Sequence, residues 1–332
     1  MREFIPSVLA FVLLCTSNAL CQQGTLPPQS QVPQSDAKRD WRVIWRNVTV
    51  ALGEVAHDSL MNRDYFHALG TAVLISTGEH SGYLVTARHM FCDPEKKFHP
   101  SQLRMRFAWQ EHKSIYDYLG VPLNLRSDSG ANLWTSLEDD TDLAAIAILQ
   151  TDEVLPPDDR LKMYDSIALG DVISDVYEGE PVLILGYPGF VGNEKLVRAI
   201  VRQGIVAWTN PNQPDQKTFL VDANLYPGNS GGPVIKVPFG MKEDGSYNFL
   251  GSGALKLLGL VSQAPVEDIK TVVSNPRLGQ VETHTSVIGI GAIGIIEPGS
   301  RIHKLIETMG RTTTKVPPCD VPDPVRKQPT AR

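Results

Sequence analysis

The sequence predicts an all-β fold, a sandwich or a barrel, and three observations predict it. The chain has 332 residues, 42% of them hydrophobic, which is enough for two hydrophobic cores. From about residue 65, short apolar runs alternate with Gly, Pro, Asn and Asp, as in folds built from many short strands. These runs are Thr71–Ser76, Tyr83–Ala87, Leu103–Trp109, Leu143–Leu149, Val182–Leu185, Gly204–Trp208, Phe219–Val221 and Leu257–Ser262. The third observation is the run Val287–Ile296, which is too short to span a membrane and predicts one buried strand with a bend.

The segments at both ends of the chain differ from this pattern. Residues 1–21 have the layout of a secretory signal peptide, with Arg2 before an apolar run and small residues before the cleavage site. Cleavage after Cys21 or Ala19 fits this layout, and lipid attachment at Cys21 is a weaker alternative. We expect a secreted or periplasmic protein with a flexible linker over 22–40. An amphipathic helix is predicted over 301–309, with Ile302, Leu305, Ile306 and Met309 on one face, followed by a disordered tail over 311–332.

The charge of the chain argues against two classes of partner. The formal net charge is −6 at pH 7, and no run of five basic residues occurs. We therefore expect no nucleic-acid binding and no electrostatic attraction to anionic membranes. Because the apolar runs are too short to span a membrane, we also expect no stable membrane insertion after removal of the signal.

Three motifs carry the candidate chemistry. The stretch Asp222–Pro233 places Ser230 among glycines at positions 228, 231 and 232, which permits a backbone bend that presents one hydroxyl. Gly82–His89 is a strand-like run that ends in histidine, and Asp139–Leu149 is an acidic cluster that runs into another strand.

The chain order His, Asp, Ser and the sequence Gly-Asn-Ser-Gly-Gly-Pro resemble the chymotrypsin-type proteases and, within them, the bacterial Deg-type branch. The resemblance covers roughly residues 65–296. It implies two six-stranded antiparallel β-barrels with a C-terminal helix, in a protease domain over 41–310. The first barrel is expected over about 41–155 and the second over about 170–298. We expect none of the peptide-binding modules that often follow the Deg-type domain.

The resemblance also assigns the catalytic residues. Ser230 would be the nucleophile, His89 the general base and acid, and Asp142 the carboxylate that orients the histidine. Asp142 is preferred to Asp139 and Asp140 because it directly precedes Leu143-Ala144, as the catalytic aspartate does in related proteases. The backbone N–H groups of Gly228 and Ser230 would form the oxyanion hole.

The resemblance locates a primary specificity pocket. Its base falls at Asn224, and its wall falls at Ser262, Gln263 and Ala264. Asn224 supplies no carboxylate for a basic side chain, and Ala264 in place of glycine would narrow the entrance. We expect a preference for small or medium apolar side chains; the alternative is that Asn224 only bonds its own loop.

The cysteines leave two interpretations open. If the signal peptide is cleaved after Cys21, only Cys92 and Cys319 remain, and the sequence does not show whether they pair. A zinc site from Cys92, His89 and His99 is a poorer interpretation, because no CxxC or HxxxH spacing supports it. We expect no cofactor and no metal.

The predicted function is that of a secreted serine endopeptidase acting on polypeptides through an acyl-enzyme intermediate. A catalytically silent protein of the same fold that binds peptides in the cleft is the alternative. A serine esterase is less consistent with the sequence, since the chain order is His, Asp, Ser and not Ser, Asp, His.

Overall fold

The structure is a computed structural model. It describes residues 41–78, 81–107, 119–137, 141–148, 166–189, 198–210, 218–237, 240–241, 247–248, 255–263, 267–275, 279–287, 293–309 and 319. All of them belong to one unit, Asp40–Arg332. The predicted signal peptide, the 22–40 linker and nearly all of the C-terminal tail lie outside the described residues.

The first half of the molecule is an eight-stranded sheet that curves as a half-barrel. Helix α1 (Trp41–Val48) precedes it. Its strands are β1 (Thr49–Asp58), β2 (Arg63–Gly78), β3 (Ser81–Thr86), β4 (Gln102–Arg106), β5 (Val121–Asn124), β6 (Trp134–Ser136), β7 (Ala144–Ala147) and β8 (Ile167–Ala168). The strands are ordered β5-β4-β1-β2-β3-β7-β6, and β8 pairs with β2.

The second half is a closed six-stranded barrel. Its strands are β9 (Pro181–Gly186), β10 (Ile200–Trp208), β11 (Phe219–Asp222), β12 (Pro233–Lys236), β15 (Lys256–Gln263) and β18 (Ile293–Pro298). Around the barrel they are ordered β10-β11-β18-β15-β12-β9. Two hairpins stand apart from it: β13 (Gly240–Met241) with β14 (Tyr247–Asn248), and β16 (Glu267–Asn275) with β17 (Gly279–Val287). Helix α2 (Gly299–Met309) follows β18.

This architecture confirms the predicted all-β, chymotrypsin-like double barrel, with two differences of detail. In the described residues the first sheet has eight strands instead of six and forms a half-barrel, and only the second sheet closes. The predicted single strand over 287–296 is wrong, because β17 ends at Val287 and a separate strand, β18, begins at Ile293. Both differences arise from long-range pairing, which local apolar runs do not specify.

The buried apolar side chains form two clusters, one that spans both halves and one that lies within the second half. The main cluster of buried side chains includes Leu84 and Ile146 of the first sheet, and Leu185 and Leu257 of the second barrel. Burial of apolar area between the halves stabilises their contact, and that contact fixes the residues that line the cleft.

Candidate active site

A cavity of about 570 Å³ brings together residues from both halves of the molecule. His89 and Asp142 line it from the first half, and Ser230 lines it from the second. The three residues singled out in the sequence therefore meet at one site.

Strand pairing explains how His89 and Asp142 come together. Strand β3 ends at Thr86, which is paired with Ala144, the first residue of β7. His89 follows in the 3-10 turn Arg88–Met90, and Asp142 precedes β7 by two residues. Both side chains therefore lie at the same end of one strand pair.

The Asp142 carboxylate holds His89 at two points. Oδ2 of Asp142 lies 2.8 Å from Nδ1 of His89, and Oδ1 accepts the backbone N–H of His89 at 3.0 Å. An ionised carboxylate only accepts hydrogen bonds, so Nδ1 carries the proton and Nε2 remains the basic nitrogen. The two side chains are 25% and 19% exposed, which leaves the imidazole accessible from the cavity.

Two residues of the second barrel also bind Asp142. The Ser262 hydroxyl donates to Oδ2 of Asp142 at 2.6 Å. The Asp142 backbone N–H donates to Oε1 of Glu297 at 3.0 Å. Sequence reasoning assigned Ser262 only to the pocket wall and missed Glu297, although a charged residue ending the apolar run Ile293–Ile296 is a signal that could have found it.

The turn that carries Ser230 is anchored to both halves. The Ser230 carbonyl accepts the Thr71 N–H at 2.8 Å, and the Gly231 N–H donates to the Val261 carbonyl at 2.7 Å. The Thr71 hydroxyl donates to the Gly228 carbonyl at 2.7 Å. The position of the serine thus depends on the contact between the halves.

Two backbone N–H groups in this turn have no partner in the described part of the chain. They belong to Gly228 and Ser230, the two predicted oxyanion donors. The Asn229 side chain between them is 1% exposed, and neither of its polar atoms is hydrogen-bonded to a described residue. No hydrogen bond joins the Ser230 hydroxyl to His89 among the described residues; in substrate-free enzymes this contact is often long.

The predicted pocket residues divide into three groups. Ser262 and Gln263 line the cavity. Asn224 is exposed and is not among the lining residues. Ala264 lies outside the described residues.

One rim of the cavity carries an ion pair next to a disulfide. Asp93 and Lys96 form an ion pair of 2.9 Å. Partial burial opposes ionisation of Asp93, but hydrogen bonds from Lys96 and its charge outweigh burial and leave the pKa of Asp93 below its ordinary value. Cys92, beside Asp93, is bonded to Cys319.

The disulfide removes Cys92 as a thiolate ligand for the zinc site considered above. Among the described residues, no three His, Cys, Asp or Glu side chains are grouped to hold a metal ion. The helices in the described ranges are also too short or too polar to cross a membrane.

Known proteins resemble this chain over the same region. The sequence model of the trypsin-like peptidase domain family matches residues 70–238. Two proteins named "Serine protease HtrA-like", from Staphylococcus aureus strains bovine RF122 / ET3-1 and USA300, are each 25% identical over 199 and 203 residues. The alignments cover 57% of this chain and 22% of each relative, so the chain spans about a fifth of the relatives' length.

A solved structure aligns over more of the chain. It is an inactive form of Rv3671c from M. tuberculosis H37Rv that carries a serine-to-alanine mutation. The alignment covers 84% of this chain and 94% of that one, with 14% identity and a TM-score of 0.40.

Proposed function

The chain belongs to the trypsin-like peptidase family, and from that premise we propose that it is an exported serine endopeptidase that forms an acyl-enzyme intermediate. One arrangement carries the proposal: the 2.8 Å contact of His89 Nδ1 with Asp142, in the cavity that Ser230 also lines. A serine hydroxyl is a weak nucleophile at neutral pH and needs such a base.

The proposed reaction begins with attack of Ser230 Oγ on the carbonyl carbon of a peptide bond. His89 Nε2 takes the hydroxyl proton, and Asp142 stabilises the resulting imidazolium. The negative charge moves to the carbonyl oxygen. The unpartnered N–H groups of Gly228 and Ser230 are the donors we assign to it.

Collapse of this intermediate breaks the C–N bond, and His89 returns the proton to the leaving amine. The acyl group remains as an ester on Ser230. Water then attacks the ester carbonyl carbon, and His89 takes a proton from this water. Collapse of the second intermediate breaks the ester C–O bond, His89 returns the proton to Ser230 Oγ, and the carboxylic acid product leaves.

Export is part of the proposal. The signal-like layout of residues 1–21 predicts secretion or transfer to the periplasm. The Cys92–Cys319 disulfide supports this placement, because disulfides persist mainly in oxidising compartments.

The proposed substrate preference rests on the residues that line the cavity beside Ser230. Ser262 and Gln263 line the cavity beside Ser230, and neither carries a charge that would select a basic side chain. We expect cleavage after small or medium apolar residues, measured by sequencing the products of a mixed peptide library.

The function is tested by measuring casein hydrolysis with two purified samples, the mature wild-type chain and its Ser230→Ala variant. Because the nucleophile is lost, the variant is expected to be inactive while its circular dichroism spectrum is unchanged. Ser129→Ala, which removes a hydroxyl bonded only to Ser127 in the described structure, is the matched control and should retain full activity. Hydrolysis by a pure Ser230→Ala sample would contradict the assignment.

A further inference from the structure

Two strands of the second barrel present polar side chains to one residue of the first half. Strand β15 supplies Ser262, whose hydroxyl binds the Asp142 side chain. Strand β18 supplies Glu297, which is paired with Leu260 of β15 and accepts the Asp142 backbone N–H at 3.0 Å. Asp142 is thus held through its side chain by one strand and through its backbone by the next.

Glu297 is an unusual residue for its position. Its strand is otherwise apolar or glycine up to Pro298, and Glu297 is only 3% exposed. A buried carboxyl group is costly unless hydrogen bonds compensate its lost hydration. The bond to Asp142 is one such compensation, and it lies at the candidate active site.

Thr141, the residue before Asp142, is bound by the segment that follows β18. Arg301, in the first turn of α2, donates through Nη1 to the Thr141 hydroxyl. Thr141 is buried and lines the cavity. The junction of β18 with α2 therefore binds both Thr141 and Asp142.

The position of Asp142 matters because its carboxylate accepts three hydrogen bonds, two from His89 and one from Ser262. A shift of its backbone would lengthen these bonds together. Misplacement of a catalytic group by about 1 Å can lower the rate by about 10²-fold.

We propose that Glu297 is a positioning residue, which fixes Asp142 through its backbone N–H so that the carboxylate orients His89. The inference rests on the proposed function and adds to it a residue of the second barrel that is not among the residues lining the cavity. Loss of Glu297 should therefore slow the chemical step and leave substrate binding unchanged, because the residues that line the cleft stay in place.

The test compares two variants of nearly equal size. Glu297→Gln keeps an oxygen that can accept the Asp142 N–H, whereas Glu297→Met removes the acceptor. We expect Glu297→Met to lower kcat by about 10- to 100-fold with little change in KM, and Glu297→Gln to stay within about threefold of the wild type. Equal losses in the two variants would overturn the proposal, as would a kcat unchanged in Glu297→Met.

Glu178→Met is the matched control. Glu178 also lies in the second half, and its Oε1 accepts a backbone N–H, that of Thr209, at 2.9 Å. Its removal should leave kcat unchanged. If Glu297→Met does not fold, Glu297→Asp, whose carboxylate is withdrawn by one methylene, takes its place under the same expectation.

A second measurement does not depend on turnover. The Nδ1 proton of His89 in its bond to Asp142 gives a downfield proton resonance that can be recorded without substrate. It should weaken or shift in Glu297→Met and persist in Glu297→Gln and Glu178→Met; an unchanged resonance in Glu297→Met would overturn the proposal. A wild type that hydrolyses no peptide would contradict the proposed function alone, because this resonance would still decide the role of Glu297.

Discussion

The turn around Ser230 requires glycine at two positions. Gly228 and Gly231 have φ angles of +97° and +78°, a region that L side chains rarely adopt. A Cβ atom at Gly228 would lie 2.3 Å from the Tyr187 carbonyl oxygen, and one at Gly231 would lie 2.0 Å from that of Thr71. The backbone donors beside the serine can keep their orientation only if these positions have no side chain.

Gly228→Ala is expected to lower kcat/KM by about 10²–10³-fold, the loss typical of one oxyanion donor. Gly130→Ala is the matched control: its φ is +83°, but its Cβ would meet nothing within 4 Å. The control should lose about 1 kcal/mol of stability and no activity. Steady-state kinetics with thermal unfolding of both variants would check this, and an equal loss of activity in the control would contradict the role of the turn.

Single residues were predictable where short motifs carry them. The glycine-flanked serine, the histidine at a strand end and the aspartate before a strand each have a local signature, and the three line one cavity. Glu297 has no such signature toward Asp142, because the two residues are separated by 155 positions. The bond from Ser262 to Asp142 likewise depends on the contact between the halves.

Helix α2 joins the second barrel to the core shared by both halves. Ile302, Leu305 and Ile306 are buried and belong to the main hydrophobic cluster. The helix also begins directly after Glu297 and Pro298, so its packing supports the segment that binds Asp142.

Leu305→Ala is expected to lower the free energy of unfolding by about 2–5 kcal/mol, because it leaves a cavity in the core. Glu307→Ala, on the exposed side of the same helix, should change it by about 0.5 kcal/mol or less. Urea denaturation of both variants provides the comparison. A similar small effect at both positions would show that the helix does not pack as described.

The sequence predicted elements with a clear apolar pattern after about residue 65, whereas the apolar elements α1 and β1 before it were not predicted. The amphipathic spacing predicted a helix over 301–309, and α2 begins only two residues earlier. The hairpin of β16 and β17 escaped prediction because its strands, Glu267–Asn275 and Gly279–Val287, are rich in polar residues. The two paired strands lack the alternation of apolar and polar residues from which a strand is predicted.

For the molecule as a whole, one covalent bond closes a very long loop. Cys92 and Cys319 are 227 residues apart in sequence, with Cα atoms 5.9 Å apart. The sequence supplied the two cysteines but could not show their contact, which depends on the complete fold. A crosslink over such a loop restricts the unfolded chain strongly.

The double variant Cys92→Ser, Cys319→Ser is expected to lose about 2–5 kcal/mol of stability. Wild type treated with a reductant should unfold at the same urea concentration as the variant, since both lack the same bond. If oxidised wild type, reduced wild type and the variant unfolded together, the disulfide would not stabilise the fold.

The most direct test of the central claim is labelling of the mature protein with a fluorophosphonate probe, followed by mass spectrometry of its peptides. Only a serine activated by its base, next to working oxyanion donors, reacts rapidly with such a probe. We predict one adduct, on the peptide that contains Ser230, and none in Ser230→Ala. Absence of the adduct in demonstrably folded wild type, or an adduct that persists in Ser230→Ala, would contradict the account.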